Sequence, residues 1–215
     1  MTNSSTDIIY NLNPTIWAVA GESFDRMNNY FINTSYVNIG VLNGKKSWIM
    51  KNGEGLNGGV IIDGTIPPTS NYTIAIAFQR YSFQEYNLFF VQWGAGVNTN
   101  HNLYSNRSSD NKLNLDEFGP SGGSITTDII LSENVVVVFS RNANVVTFWV
   151  DGIKIGDYTH SEVFSGTTPT KTYLGYRPNN PKNVNGMAIS AMASWGEVLS
   201  DANIESITMD SLTAF

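Results

Sequence analysis

The sequence predicts an all-β protein: a β-sandwich of two antiparallel sheets, with at most one short C-terminal helix. Three observations carry this. Strand-like runs follow one another at about 8–12 residue intervals, the spacing of sandwiches and barrels. One run, Tyr72–Tyr81, alternates cleanly, with Ile74, Ile76 and Phe78 on one face and Thr73, Ala75, Ala77 and Gln79 on the other. Helical signal is confined to Ser200–Ile207, where Ser200 suits an N-cap and Asp201 puts a negative charge in the first turn.

Residues 1–40 show the least regular pattern. Ile8-Ile9-Tyr10 reads as a short strand, and Ser23–Phe31 has room for one helical turn. The segment Pro14–Tyr36 is rich in Trp and Phe for a free tail, so it is expected to pack on something. It is either an N-terminal strand closing the sandwich or an arm that docks onto a larger assembly. Ser47–Lys51 is a short apolar run, and Asn52–Gly59, with its four glycines, is a loop. Val60–Ile62 is a strand stopped by Asp63-Gly64, and Pro67-Pro68 breaks the chain again. The second face of Tyr72–Tyr81 is small and partly polar, as a solvent-facing or groove-lining surface would be. Asn87–Trp93 is apolar on both faces and therefore central. Gly94–Asn102 reads as a loop. Asn102–Tyr104 and Lys112–Leu115 are short strands, and Ile125–Leu131 leads into the last third. There is no internal repeat, heptad or linker. Residues 1–40 thus form an N-terminal strand or docking segment, residues 41–215 the sandwich, and the whole is one domain.

From Ser132 to Ile207 the order of motifs is distinctive. Val135–Ser140 is an apolar strand, Arg141–Asn144 a tight turn, and Val145–Val150 a second strand ended by Asp151-Gly152. Tyr173-Leu174-Gly175-Tyr176 follows, then an Asn- and Pro-rich loop, a strand at Met187–Trp195, and Leu199-Ser200-Asp201-Ala202-Asn203-Ile204. This order resembles the concanavalin A-like lectin/glucanase superfamily, especially its laminin-G-like branch. The matching pieces are Trp149-Val150-Asp151-Gly152, Leu174-Gly175-Tyr176 and Leu199–Ile204. The resemblance implies a jelly-roll sandwich that binds glycans or proteins, without implying a particular ligand.

Charged residues make up only 14% of the chain and the net charge is −6. The longest basic run is Lys45-Lys46, so the stripe that a phosphate-backbone binder needs is absent. Nucleic acid is excluded as a partner. With no cysteine there are no disulfides, thiolate nucleophiles or Cys-based zinc sites. His101 and His160 stand far apart, without metal-ligand spacing. The polar start, Met1–Asp7, reads as neither signal peptide nor membrane span, so no membrane insertion is expected. An Asn-rich, cysteine-free chain with a lectin-like pattern and no leader suits a phage structural protein. Such a protein is made in the host cytoplasm and works on the virion surface.

Glycosidases of this sandwich place carboxylates on alternate residues of one strand, about 5–5.5 Å apart in retaining enzymes. Here Asp116 and Glu117 are adjacent, which points them to opposite faces, and no other pair has the alternation. No catalytic residue is therefore assigned. Asp110, Asp116 and Glu117 would suit Ca²⁺, or are simply solvated; no cofactor is required. A sugar needs a flat apolar face and planar hydrogen-bonding groups. Two stretches supply both: Trp93, Asn102, Tyr104, Arg107 and Asp110 in the first, and Tyr176, Arg177 and Asn179 in the second. Otherwise Trp93 is core and the Asn residues are turn formers. Trp149 and Trp195 read as core. Four Asn-x-Ser/Thr sequons, at Asn3, Asn33, Asn71 and Asn106, are what chance gives in such a composition.

The function expected is a non-catalytic carbohydrate-binding or adhesion module on a phage particle, as a decoration, fibre or tail component. Its partners would be a cell-surface glycan and, through the N-terminal segment, other virion proteins, with a homo-oligomer also admitted. A purely structural virion subunit and a glycoside hydrolase or lyase of the same fold are the alternatives.

Overall fold

The computed structural model describes residues 5–35, 37–50, 59–64, 71–80, 87–93, 100–105, 112–118, 123–130, 134–159, 171–175 and 187–213. In chain order, α1 (Ser5–Asn11) is followed by β1 (Ile16–Val19), β2 (Ile32–Asn33), β3 (Asn38–Leu42) and β4 (Lys45–Ile49). Then come β5 (Val60–Ile62), β6 (Asn71–Arg80), β7 (Asn87–Trp93), β8 (Asn100–Ser105), β9 (Lys112–Phe118) and β10 (Gly123–Ile130). The last third holds β11 (Asn134–Asn142), β12 (Val145–Val150), β13 (Ile153–Thr159), β14 (Lys171–Leu174) and β15 (Met187–Trp195), then α2 (Asp201–Glu205) and α3 (Met209–Thr213).

Two antiparallel sheets face each other. The eight-stranded sheet runs β13-β12-β11-β6-β15-β4-β3, with β1 also paired to β15. The seven-stranded sheet runs β10-β9-β8-β7-β14-β5-β2. Between them lies the main core, with Ile74, Ile76 and Phe78 of β6, Val135, Val137 and Phe139 of β11, Val60 and Ile62 of β5, and Leu113 and Leu115 of β9. The alternation in β6 and the all-β sandwich are as the sequence predicts. Strand β11 is buried from Val135 to Arg141 because both its faces are covered. Sharp turns close the hairpins. Asn43-Gly44 (φ 48° and 77°) joins β3 to β4, and Asp151-Gly152 (φ 50° and 78°) joins β12 to β13. These positive angles give the two-residue turn the right-handed twist of its strands.

A second apolar cluster lies on the outer face of the eight-stranded sheet, and it corrects one expectation. Thr73, Ala75, Ala77 and Gln79 of β6 face neither solvent nor a groove; all four are buried. The ladder shows why. One row reads Trp149, Val138, Ala75, Ala193, Trp17, and the next includes Val136, Ala77, Ala191 and Val19. Large side chains flank small ones, so the alanines floor a trough. Ile9, Ile204, Ile207 and Leu212 from the chain's two end regions fill it. Trp17 Nε1 donates to the Leu212 carbonyl at 2.9 Å, and Trp195 Nε1 donates to the Leu12 carbonyl at 3.0 Å. Thr73 Oγ1 donates to the Glu197 carbonyl at 2.9 Å and accepts from the Leu199 amide at 3.0 Å. Trp149 and Trp195 are core, as expected, but of this outer cluster.

Helix content departs from the expectation as well. There are three short helices among the described residues, not at most one. Ile8-Ile9-Tyr10 lies in α1 and not in a strand, because Ile9 drops into the trough while Tyr10 stays 62% exposed. A run of three residues is too short to show its period. Ser200 caps α2, its Oγ accepting from the Asn203 amide. Thr208 and Ser211 cap α3 reciprocally, each hydroxyl accepting from the other's amide. Ser23–Phe31 forms no helical turn. The buried Asp25 carboxylate instead accepts from the amides of Met27, Asn29 and Tyr30 and ties a loop.

Candidate functional site

The outer face of the seven-stranded sheet contrasts with this covered trough. Strand β5 alternates, with Val60 and Ile62 buried and Ile61 half-buried. In β14, Thr172 and Leu174 are buried while Lys171 and Tyr173 are half-buried. In β2, Ile32 is buried and Asn33 half-buried. Asn33, Ile61 and Tyr173 therefore stand in one row away from the core.

Beside them the Asp63 amide donates to the Phe31 carbonyl at 3.1 Å, carrying the β2–β5 ladder one residue further. The next row thus holds Phe31, Asp63 and Lys171. Lys171 Nζ stands 2.7 Å from Asp63 Oδ1, with both side chains nearly half exposed. The hydrogen bond to Asp63 raises the Lys171 pKa, and partial burial raises that of the Tyr173 phenol.

Two rings project beside this pair. Phe24 and Phe31 meet edge to face at 5.6 Å, yet remain 53% and 45% exposed. Their backbones form a bridge, supported by the Ile32 amide donating to the Ser23 carbonyl and the Asp25 amide to the Tyr30 carbonyl. Tyr30 lies on Gly64, where a Cβ would come within 2.4 Å of its ring. Thr172 Oγ1 donates to the Gly64 carbonyl at 2.8 Å. The loop that presents the rings is therefore fixed to the sheet. Chemically, this corner offers two aromatic edges, a phenol, a carboxylate and an ammonium.

Among the residues singled out from sequence, Trp93 ends β7 directly opposite Lys171, so it continues the Phe31–Asp63–Lys171 row. Asn102 stands opposite Val91, itself opposite Tyr173, and so continues the Asn33–Ile61–Tyr173 row to Asp116. Tyr104 pairs with Leu88 and Asn114, one step further from Trp93. The expected loop Gly94–Asn102 is corrected in part, because Asn100 already begins β8. Its Asn-His-Asn start hid the ladder that β7 and β9 impose from both sides. Arg107, Asp110, Tyr176, Arg177 and Asn179 lie outside the described residues. The chain leaves β8 at Ser105 and β14 at Leu174 at the same end of the sheet, the end opposite Trp93.

Sequence reasoning missed Phe31, Asp63, Lys171 and Tyr173. Asp63-Gly64 was legible only as a strand stop, and the four residues meet solely through the β2–β5–β14 pairing. Among the described residues, no three His, Asp or Glu side chains converge as a metal site would require. Nor is any helix among the described residues long and apolar enough to cross a membrane.

No family model matches the chain, and no curated protein matches it by sequence. Solved structures do match. Domain 4 of AbnA, a GH43 extracellular arabinanase from Geobacillus stearothermophilus, solved with arabinotriose, superposes with a TM-score of 0.70 at 12% identity, over 89% of this chain and 96% of that one. The botulinum neurotoxin serotype D binding domain gives 0.69 at 10% identity, over 89% of this chain and 50% of that one. The same serotype's ligand-binding domain, in complex with N-acetylneuraminic acid, gives 0.68 at 10% identity, over 92% and 51%. The chain spans about half the length of the neurotoxin domains it matches. At such identities the likeness is one of fold, and the fold it establishes is the β-sandwich of these domains.

Proposed function

We propose that this chain is a non-catalytic carbohydrate-binding module that grips a sugar on the outer face of its seven-stranded sheet. The observation that carries the reading is the exposed Phe24–Phe31 pair beside the Asp63–Lys171 ion pair. Exposed rings cost hydration free energy unless something covers them. A pyranose or furanose does so with its C–H face, while its hydroxyls reach a carboxylate and an ammonium at the rim. Lys171 is already neutralised by Asp63, so this corner suits a neutral sugar better than an acidic one. Structural neighbours solved with arabinotriose and with N-acetylneuraminic acid support a glycan as the class of ligand. Trp93 and Asn102, whose backbones pair into its two rows, are proposed as further contacts. Tyr104, Arg107, Asp110, Tyr176, Arg177 and Asn179, singled out from sequence, remain proposed contacts for further sugar units. The setting that suits this chemistry is adhesion from the surface of a phage particle, with the chain as a decoration, fibre or tail component.

The test is a glycan array followed by calorimetry on any hit. Neutral oligosaccharides should bind, and Phe31→Ala should weaken binding several-fold, since aromatic stacking is worth about 0.5–1.5 kcal/mol beyond buried area. Equal affinity in Phe24→Ala and Phe31→Ala moves the site elsewhere. An array without hits, together with incorporation into particles, favours a purely structural subunit.

A further inference from the structure

The eight-stranded sheet ends on β3, and this border is built unlike the others. Edge strands offer unpaired amides and carbonyls to any passing strand, and proteins blunt them with bulges, charges, brevity or cover. Strand β13 has a register shift against β12 and carries exposed Lys154 and Asp157. Strand β10 has a register shift against β9, and β2 is two residues long. On β1 the Arg26 amide donates to the Trp17 carbonyl at 2.8 Å from outside the ladder. Among the described residues, strand β3 has none of these. It reads Asn38-Ile39-Gly40-Val41-Leu42, without charge, proline or register shift against β4. Ile39 is 49% exposed and Val41 70%. Among the described residues only β4 pairs with it.

We infer that β3 is a self-association edge, across which two copies of this chain pair antiparallel about a two-fold axis at Gly40. The strand is symmetric in character about that glycine. Antiparallel pairing sets Gly40 against Gly40, Ile39 against Val41 and Asn38 against Leu42. Each exposed apolar residue meets the other's counterpart and no like charges oppose, so the edge fits its own copy. The nearby cation Lys45 is paired with Asp210 at 2.7 Å. Five residues make a small contact beside the about 1,200 Å² or more of stable interfaces, so the dimer is reversible and concentration-dependent.

The geometry has a functional result, which alone rests on the sugar-binding reading. Antiparallel edge pairing places the two-fold axis perpendicular to the sheet. Both copies therefore turn the same face the same way, and both seven-stranded sheets lie on one side. Two sugar platforms then meet one glycan-bearing surface together, which multiplies weak single-site affinity.

Sedimentation velocity on the full chain over a rising concentration series tests the pairing. The sedimentation coefficient of the parent should climb toward that of a dimer. Val41→Lys should abolish the rise, while Ile153→Lys on the guarded β13 edge should leave it intact. The chain has no cysteine, so an Ile39→Cys/Val41→Cys double variant reads the register directly. Mild oxidation should yield a covalent dimer from it, and much less from Val41→Cys alone. A parent that stays monomeric throughout overturns the inference. So does a Val41→Lys variant that dimerises like the parent, or a double variant that crosslinks no better than the single one. Loss of sugar binding with dimerisation retained would sink the platform and leave the edge standing.

Discussion

Two sheet faces of this molecule point away from the shared core, and they differ in kind. The outer face of the eight-stranded sheet is floored by Ala75, Ala77, Ala191 and Ala193 and roofed by apolar residues from both end regions of the chain. The outer face of the seven-stranded sheet, where its side chains are described on β2, β5 and β14, carries an ion pair, a phenol and two half-exposed phenylalanines. Small side chains permit close approach by the chain itself. Large, partly polar ones leave a surface for something else. The difference ties one face to stability and underlies the proposal that the other serves recognition.

Substitutions on the two faces should therefore separate the two properties. The largest effect belongs to Trp17→Ala. It removes one wall of the trough and the hydrogen bond to Leu212, at a cost of about 3–5 kcal/mol, read as a lower urea midpoint. Ala75→Leu should cost about 1–3 kcal/mol, because the floor has no space for a branched chain. If Ala75→Leu leaves the midpoint unmoved, the trough is less tightly filled than described.

Alkali sharpens the contrast from inside the main core. Burial raises the Tyr72 pKa above its usual 10.0, with Arg141 pulling weakly the other way. The unfolded chain ionises this phenol near its usual pKa while the fold keeps it neutral. Its contribution is therefore complete below pH 10 and is lost as pH rises beyond that. The Lys171–Asp63 pair fails in the same alkaline direction, but its exposure makes that a minor share. Melting temperature should fall as pH climbs past 10, and Tyr72→Phe should flatten the fall. An unchanged slope in that variant would assign the loss to other tyrosines. The smallest stability effect belongs to Phe31→Ala, within about 0.5 kcal/mol, as for exposed positions generally. The same substitution should cut sugar affinity several-fold, and a variant that instead lost stability would make Phe31 structural.

Much of the fold was legible because its signals are local. The β6 alternation, the Asp151-Gly152 turn and the Ser200 cap each need only a few neighbouring residues. The trough was not legible, because Ala75 and Ala77 look like a solvent face until Trp17 and Leu212, far apart in sequence, are laid over them. The Asn43-Gly44 hairpin carried a strong local signal that the irregular pattern around it obscured. The site was legible only in part. Phe31, Asp63 and Lys171 are gathered by strand pairing alone, and Trp93 meets Lys171 only through the β7–β14 ladder. No spacing along the chain announces them.

The crossed tryptophan bonds have a consequence for how the chain is made. Strand β1 finds its partner in β15, Trp17 finds its acceptor in Leu212, and Trp195 finds its acceptor in Leu12. On a ribosome the Ile16-Trp17-Ala18-Val19 segment emerges long before β15 and must wait for the strands between them to be made before it can pair with it. For that interval it is an apolar strand without a neighbour, the condition under which nascent chains aggregate or recruit chaperones. Closure of this face thus waits on the synthesis of β15, and a chain halted short of β15 carries an apolar strand uncovered.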